Sequence, residues 1–155
     1  GHGIPTLQSV LECGRSDRDA RLIADGGIKT SGDIVKALAA GADFVILGSL
    51  LGGCEEAPGD TFRDRDGRCF KTYRGMASAA AQRDWRGSTA SLEGVSTTVP
   101  CKGPVKKVVE DLVTGIRSGF SYSGARTKEE LQAKAEFIIQ SQASSIESTT
   151  HILHR

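Results

Sequence analysis

Aromatic residues are scarce in this 155-residue chain: one Trp, two Tyr and five Phe, 5% of the whole. So few π faces exclude a base-stacking platform for single-stranded nucleic acid. Neither sign of charge dominates. Twenty Lys and Arg stand against 19 Asp and Glu, a net charge of +1, which excludes the basic footprint of a polyanion-binding module. Proline is rare, at four residues, and no polar tract is present, so little of the chain is expected to be disordered. No apolar run approaches the ~20 residues of a membrane span. His2, Pro5, Gln8 and Glu12 interrupt any signal-peptide core at the start. The four cysteines, at 13, 54, 69 and 101, form no C-x-x-C pair, so zinc and thioredoxin chemistry are poor readings. They are also too few for a disulfide scaffold, and free thiols in a reducing cytoplasm are expected. His2, His151 and His154 lie near the termini without metal-ligand spacing.

What is plentiful is glycine, 19 residues, about 12% against a usual ~7%. Pro5 to Cys13 reads as a short helix, with Leu7, Val10 and Leu11 on one face. Leu22-Ile23-Ala24 then closes in Asp25-Gly26-Gly27, consistent with a buried parallel strand. Thr30 and Asp33 form a capping-box variant. Ile34, Val35, Leu38 and Ala39 give the helix behind it an apolar stripe, and Gly41 is a natural stop. Phe44-Val45-Ile46-Leu47 ends in Gly48-Ser49. Residues 21–49 therefore spell strand, helix, strand: a βαβ unit with a parallel pair.

The region from about 54 to 103 differs. Phe62 to Tyr73 reads as a hairpin turning at Asp66-Gly67, and Gly87 to Thr98 as a mobile loop of functional length. Pro104 opens the clearest helix, with Val105, Val108, Val109, Leu112, Val113 and Ile116 at helical spacing; Gly119, Ser121, Ser123 and Gly124 are expected to break it. Thr127 and Glu130 suggest a second capping box before Leu131 to Ala135. Phe137-Ile138-Ile139 reads as a last strand. The tail, 141–155, is polar and without periodicity.

Two successive strands thus end in small residues, Asp25-Gly26-Gly27 and Gly48-Ser49. Glycine there lets a ligand approach backbone amides, and adjacent helix N-termini favour an anion. The alternative is that these are tight turns only. Asp25 suits ribose hydroxyls, as acidic residues do in nucleotide sites, or serves the next helix dipole. Of the adjacent Glu55 and Glu56, only one can readily face a pocket; taken alone, the pair reads best as two solvated surface charges. Trp85 reads best as a loop anchor on the core.

The runs Ile23-Ala24-Asp25-Gly26-Gly27-Ile28, Lys36 to Ala42 and Gly48-Ser49-Leu50-Leu51 resemble the IMP dehydrogenase/GMP reductase family. So do Glu56-Ala57-Pro58-Gly59, Tyr73-Arg74-Gly75-Met76, Glu93-Gly94 and Lys102-Gly103-Pro104. The resemblance covers essentially the whole chain, in order. It implies an α/β fold, a (β/α)8 TIM barrel, usually tetrameric. A whole barrel needs about 250 residues, so residues 1–155 are expected to be its C-terminal portion, with a flap and hairpin insertion after the last strand at about 54–103 and a C-terminal tail at 141–155. The family's nucleophilic cysteine and its partner threonine would lie upstream of Gly1, and the segment alone would be inactive.

The resemblance also implies roles. Asp25 would bind the ribose hydroxyls. Gly26, Gly27, Gly48 and Ser49 would cradle the 5′-phosphate, with Tyr73 donating its hydroxyl. Gly75 and Met76 would meet the purine by backbone contacts, and Glu93 would face the base edge. Glu56 matches the loop carboxylate that moves a proton to and from the departing amine. Glu147-Ser148 resembles a tail segment that offers carbonyls to a monovalent cation, K+, across a subunit interface, although Thr149 stands where a histidine usually follows. Expected partners are a purine nucleotide, GMP or IMP, and further copies of the chain, with no nucleic acid and no membrane.

Dehydrogenases of the family activate a water with an Arg-Tyr pair on the flap; Gln82 to Glu93 here contains no tyrosine. The short flap and Phe44 are also reductase-like, whereas Ala24, Ser49 and Ala57-Pro58-Gly59 look more like the dehydrogenase version. The expectation is a cytoplasmic GMP reductase using NADPH. The alternatives are an IMP dehydrogenase using NAD and, from another class, a non-catalytic nucleotide-binding or assembly fragment.

Overall fold

The computed structural model describes residues 3–17, 19–89 and 96–149. Helix α1 (Thr6–Cys13) leads to strand β1 (Ile23–Asp25), helix α2 (Ser31–Ala39) and strand β2 (Phe44–Ile46). β1 and β2 pair in parallel, with Ile23 opposite Phe44 and Asp25 opposite Ile46. The expected βαβ unit is therefore present. Thr30 and Asp33 close a full capping box at α2: the Asp33 N–H donates to the Thr30 hydroxyl and the Thr30 N–H to the Asp33 carboxylate. Partial burial pushes the Asp33 carboxyl up, but hydrogen bonds from the Lys29 N–H and from the Thr30 hydroxyl and N–H, with the Lys36 charge, hold it below its ordinary value.

The core of this unit is made of small residues. Val10, Ala24, Ala37, Ala40 and Ala42 are buried together, with Leu7, Leu11, Leu22, Ile28 and Val45 packed around them. Alanine on both α2 and the strands lets the helix lie close to the pair. Only one face of the strand pair is covered: Ala24 is 1% exposed, while Ile23, Phe44 and Ile46 are 52%, 59% and 48% exposed. The expected buried strands are thus half-covered by this chain. Side chains alternate across a strand, so all three point to the same bare face.

A second, antiparallel sheet contains β3 (Thr61–Arg63), β4 (Cys69–Arg74) and β5 (Ser96–Pro100), in that order. β3 and β4 form the expected hairpin; Asp64 Oδ1 accepts from the N–H groups of Asp66 and Arg68 at its turn. Helix α3 (Ala79–Arg86), capped by the Ser78 hydroxyl and stopped by Gly87 in the left-handed region, joins β4 to β5. Ser96 to Thr98 pair with β4, so that part of the expected loop is strand; residues 90–95 lie outside the description. Trp85 is not a core anchor. It is 68% exposed on α3, with the Arg86 guanidinium 4.7 Å from its ring centroid.

Helix α4 (Val105–Tyr122) runs through Gly119 and ends only at Ser123-Gly124. Its glycines are contact points. A Cβ on Gly115 would lie 2.1 Å from the Ser31 hydroxyl, and one on Gly119 would lie 2.7 Å from a Val35 methyl. The glycine pair, one turn apart, lets α4 press against α2. Helix α5 (Lys128–Lys134) starts at Thr127, whose hydroxyl accepts from the Glu130 N–H. Asp43 ties α5 to the start of β2: its carboxylate pairs with Lys128 and accepts the Leu22 N–H at 2.9 Å. Those hydrogen bonds, Lys128 foremost, outweigh desolvation and with the Lys128 and Arg21 charges lower the Asp43 carboxyl to about 2.

Two expectations fail in the last stretch. Phe137-Ile138-Ile139 is not a strand; Ile138 and Ile139 are 81% and 102% exposed. β propensity alone does not make a strand where no neighbour completes the ladder. The tail instead forms a short helix, α6 (Gln142–Glu147), capped by the Ser141 hydroxyl. The expectation of free thiols fails too: Cys69 and Cys101 are disulfide-bonded, with Cα atoms 5.4 Å apart, while Cys13 and Cys54 are free. No described helix is long and apolar enough to cross a membrane.

Candidate functional site

The parallel pairing of β1 and β2 puts the turns after both strands at the same edge. Gly26 and Gly27 follow β1 with φ of +99° and +78°, the left-handed region that side chains resist. Successive glycines there turn the chain within two residues of Asp25. Gly48 and Ser49 follow β2 one residue further on, after Leu47.

From Gly48 the chain makes tight turns: the Leu51 N–H donates to the Gly48 carbonyl, Gly52 to Ser49 and Cys54 to Leu51. This segment packs on the antiparallel sheet through glycines that leave no room for a side chain. A Cβ on Gly53 would lie 2.1 Å from the Pro100 carbonyl oxygen, and one on Gly59 2.2 Å from that of Thr72. Most telling is Tyr73 on β4. Its ring lies flat against Gly52, where a Cβ would meet Cδ2 at 2.5 Å, and its hydroxyl lies 3.2 Å from the place of a Gly48 Cβ. Tyr73 and Gly48, 25 positions apart, thus meet at one point at the end of β2.

That point opens on a cleft of about 800 Å³ lined by, among others, Gly48, Gly52, Pro58, Thr72, Tyr73 and Ser96. Gly26 and Gly27 line a smaller cleft of about 320 Å³ with Thr6, Val10 and Ala24. Asp25, the last residue of β1, is exposed. Gly75 turns the chain out of β4, and Met76 is 74% exposed. Glu93 lies outside the described residues.

Glu56 and Glu55 part ways. The Glu56 carboxylate accepts the Val105 N–H at 2.8 Å, one of the unpaired donors at the start of α4. Glu55 instead joins through its backbone, its N–H to the Gly103 carbonyl and its carbonyl to Lys71 Nζ. Lys71 is a residue that sequence reasoning missed. Only 5% exposed, its ammonium donates to the Cys54 carbonyl at 2.7 Å and to that of Glu55 at 3.1 Å. Lys102 holds the same segment from the other side, Nζ to the Leu50 carbonyl and N–H to the Gly53 carbonyl. A lysine inside an alternating strand was the only available signal for Lys71. Glu147 ends α6 and Ser148 is its C-cap; no group of three His, Cys, Asp or Glu that could hold a metal occurs among the described residues.

The arrangement suits an oxyanion at the β2 end: a glycine that admits close approach and a phenol hydroxyl meet there. Comparison with known proteins agrees in family. The model of the IMP dehydrogenase / GMP reductase domain matches residues 1–151. An inosine-5′-monophosphate dehydrogenase of Nitrosopumilus maritimus (strain SCM1) is 44% identical over 97% of this chain and 34% of its own length. A GMP reductase of Leishmania major is also 44% identical, over 97% and 33%. The crystal structure of a GMP reductase variant from Trypanosoma brucei in complex with guanosine 5′-monophosphate superposes with a TM-score of 0.88 at 46% identity, over 97% of this chain and 32% of that one. An inosine 5′-monophosphate dehydrogenase from Legionella pneumophila gives 0.73 at 47% identity, over 93% and 45%. The chain spans about a third of the length of the curated relatives it matches. By its matched domain and these relatives, the chain belongs to the IMP dehydrogenase/GMP reductase family.

Proposed function

We propose that this chain is the C-terminal portion of a (β/α)8 barrel, with residues 54–103 as its flap and hairpin and 141–155 as its tail, in a GMP reductase. The whole protein converts GMP and NADPH to IMP, ammonia and NADP. The observation that carries the nucleotide reading is the convergence of Tyr73 on Gly48 where β2 ends, at the same edge of the parallel pair as the turn of Gly26 and Gly27. Surface area supports the barrel. The chain exposes 11798 Å², against roughly 7,500 Å² for a monomer of this mass, and the bare face of Ile23, Phe44 and Ile46 is what further strands would cover.

In this reading the phosphate sits on the amides of Gly26, Gly27, Gly48 and Ser49 and takes the Tyr73 hydroxyl. Asp25 accepts from the ribose hydroxyls, and Gly75 and Met76 border the purine together with Glu93. Glu56 exchanges a proton with the departing amine; the hydrogen bond it accepts from the Val105 N–H fixes where the carboxylate points. NADPH supplies the hydride when bound, and no residue described above is given to it. The nucleophilic cysteine comes from elsewhere in the whole protein, and further copies of that protein complete a homotetramer.

The second reading, IMP dehydrogenase, is favoured by Ala24, Ser49 and Ala57-Pro58-Gly59. The absence of tyrosine from Gln82 to Glu93 weighs against it, because hydrolysis of an adduct needs an activated water. Steady-state assays of the full-length protein, followed by nicotinamide absorbance, decide. NADPH consumption with GMP is expected; NADH production with IMP overturns the reductase reading. Binding of either nucleotide with no turnover supports a non-catalytic role.

A further inference from the structure

The segment 48–56 is held from two directions. From β4, Lys71 grips the carbonyls of Cys54 and Glu55, and Tyr73 lies across Gly52. From the stretch after β5, Lys102 bonds Leu50 and Gly53, Gly103 accepts from Glu55, and the Val105 N–H donates to Glu56. The first set belongs to β4 and the second to the stretch that follows β5. Next along the register from Phe70 and Pro100, Cys69 and Cys101 face each other, and the Cys101 N–H donates to the Cys69 carbonyl at 3.0 Å. Their disulfide closes 32 residues and is the one covalent link, among the described residues, between the two grips. Both cysteines are half-buried, within reach of a small reagent, whereas Cys54, whose carbonyl Lys71 holds, is 1% exposed.

We propose that the Cys69–Cys101 pair is a redox-operated clamp on the nucleotide site, closed as the disulfide and opened by a dithiol reductant; the effect on nucleotide rests on the reading given under Proposed function. In opening, a reductant thiolate attacks one cysteine sulfur, the S–S bond breaks and a mixed disulfide forms. The second reductant thiol then displaces the cysteine. The reductant ends as a disulfide, having lost two electrons and two protons, and Cys69 and Cys101 end as thiols. The oxidised form fixes the spacing of β4 and the 101–105 stretch, and with it Tyr73 and Glu56. The reduced form lets the two grips move apart, so segment 48–56 must be ordered when nucleotide binds, which weakens affinity.

The test uses the full-length protein equilibrated with oxidised glutathione or with dithiothreitol. Differential alkylation and peptide mass spectrometry read the thiols; titration with GMP and with IMP reads affinity; limited trypsin digestion reads the mobility of 54–103. Protection of Cys69 and Cys101 together is expected after oxidation, with nucleotide affinity about three- to tenfold weaker and cleavage several-fold faster after reduction. Cys69→Ser and Cys101→Ser should each match the reduced wild type in both buffers, and Cys13→Ser should respond as wild type does. Free alkylation of both cysteines after oxidation overturns the pairing. A linked pair with equal affinity and equal cleavage in the two states overturns the clamp. If neither nucleotide binds in either state, the nucleotide reading falls, and equal or faster cleavage on reduction alone then refutes or supports the clamp.

Discussion

Adding one methyl group at Gly52 should disable the proposed anion grip without touching any polar group. The methyl of Gly52→Ala would stand 2.5 Å from Tyr73 Cδ2, 3.0 Å from Cε2 and 3.2 Å from Cγ, whereas carbons rest at roughly 3.5–4.0 Å. Gly52 is buried and its N–H is bonded to Ser49, so the ring has to give way by about 1 Å. Hydrogen bonds to oxygen span only about 2.5–3.2 Å, and such a shift takes the hydroxyl out of range of a ligand at Gly48. A hydrogen bond to a charged group contributes about 1.5–3 kcal/mol, so GMP or IMP should bind the full-length variant about ten- to a hundredfold more weakly. Tyr73→Phe keeps the ring and removes the hydroxyl, and should lose a similar amount. The double variant should lose no more than the worse single one, because both act through one contact. Isothermal titration calorimetry measures all three, with circular dichroism to check folding. Gly67→Ala is the control: that turn glycine has φ +79° and nothing within 4 Å, so backbone strain lowers stability while affinity stays. Affinity within twofold of wild type for a folded Gly52→Ala, or additive losses in the double variant, would refute the reasoning.

Two further outcomes concern the scaffold. Leu131 is 1% exposed, among the largest fully buried side chains; Leu131→Ala should destabilise the protein by about 2–5 kcal/mol in urea unfolding, and a loss under 1 kcal/mol would show that α5 does not pack as described. The Asp43 carboxyl, lowered to about 2 from an ordinary 3.8, binds fewer protons folded than unfolded. Its stabilisation is therefore complete above about pH 4 and is lost as pH falls toward 2. Asp43→Asn should remove that part of the acid sensitivity, seen as a flatter urea midpoint between those values; an unchanged pH slope would mean Lys128 and Leu22 do not hold the carboxylate as drawn.

Local chemistry made much of this protein legible in its sequence. Thr30-x-x-Asp33 and Thr127-x-x-Glu130 set helix starts because their partners lie within one turn. The hairpin at Asp66-Gly67 follows from turn residues alone, and glycines 26, 27 and 48 mark the strand ends from which the site is built. The quoted family motifs carried the rest of that reading. Where a residue's partner is remote, the sequence was silent or misleading. Gly119 reads as a helix breaker until α2 lies against it. Ile138 and Ile139 read as a strand until no neighbouring strand is there. Cys69 and Cys101 read as free thiols until antiparallel pairing sets them 5.4 Å apart. Lys71 showed only as a lysine inside an alternating strand, since its carbonyl partners are 16 and 17 positions away. The residue types and their near neighbours determined the elements and the small-residue strand ends; only the tertiary structure decided that Tyr73 reaches Gly48 and that one disulfide joins the two grips on segment 48–56, because contacts between distant positions depend on how the elements pack, which no local spacing records.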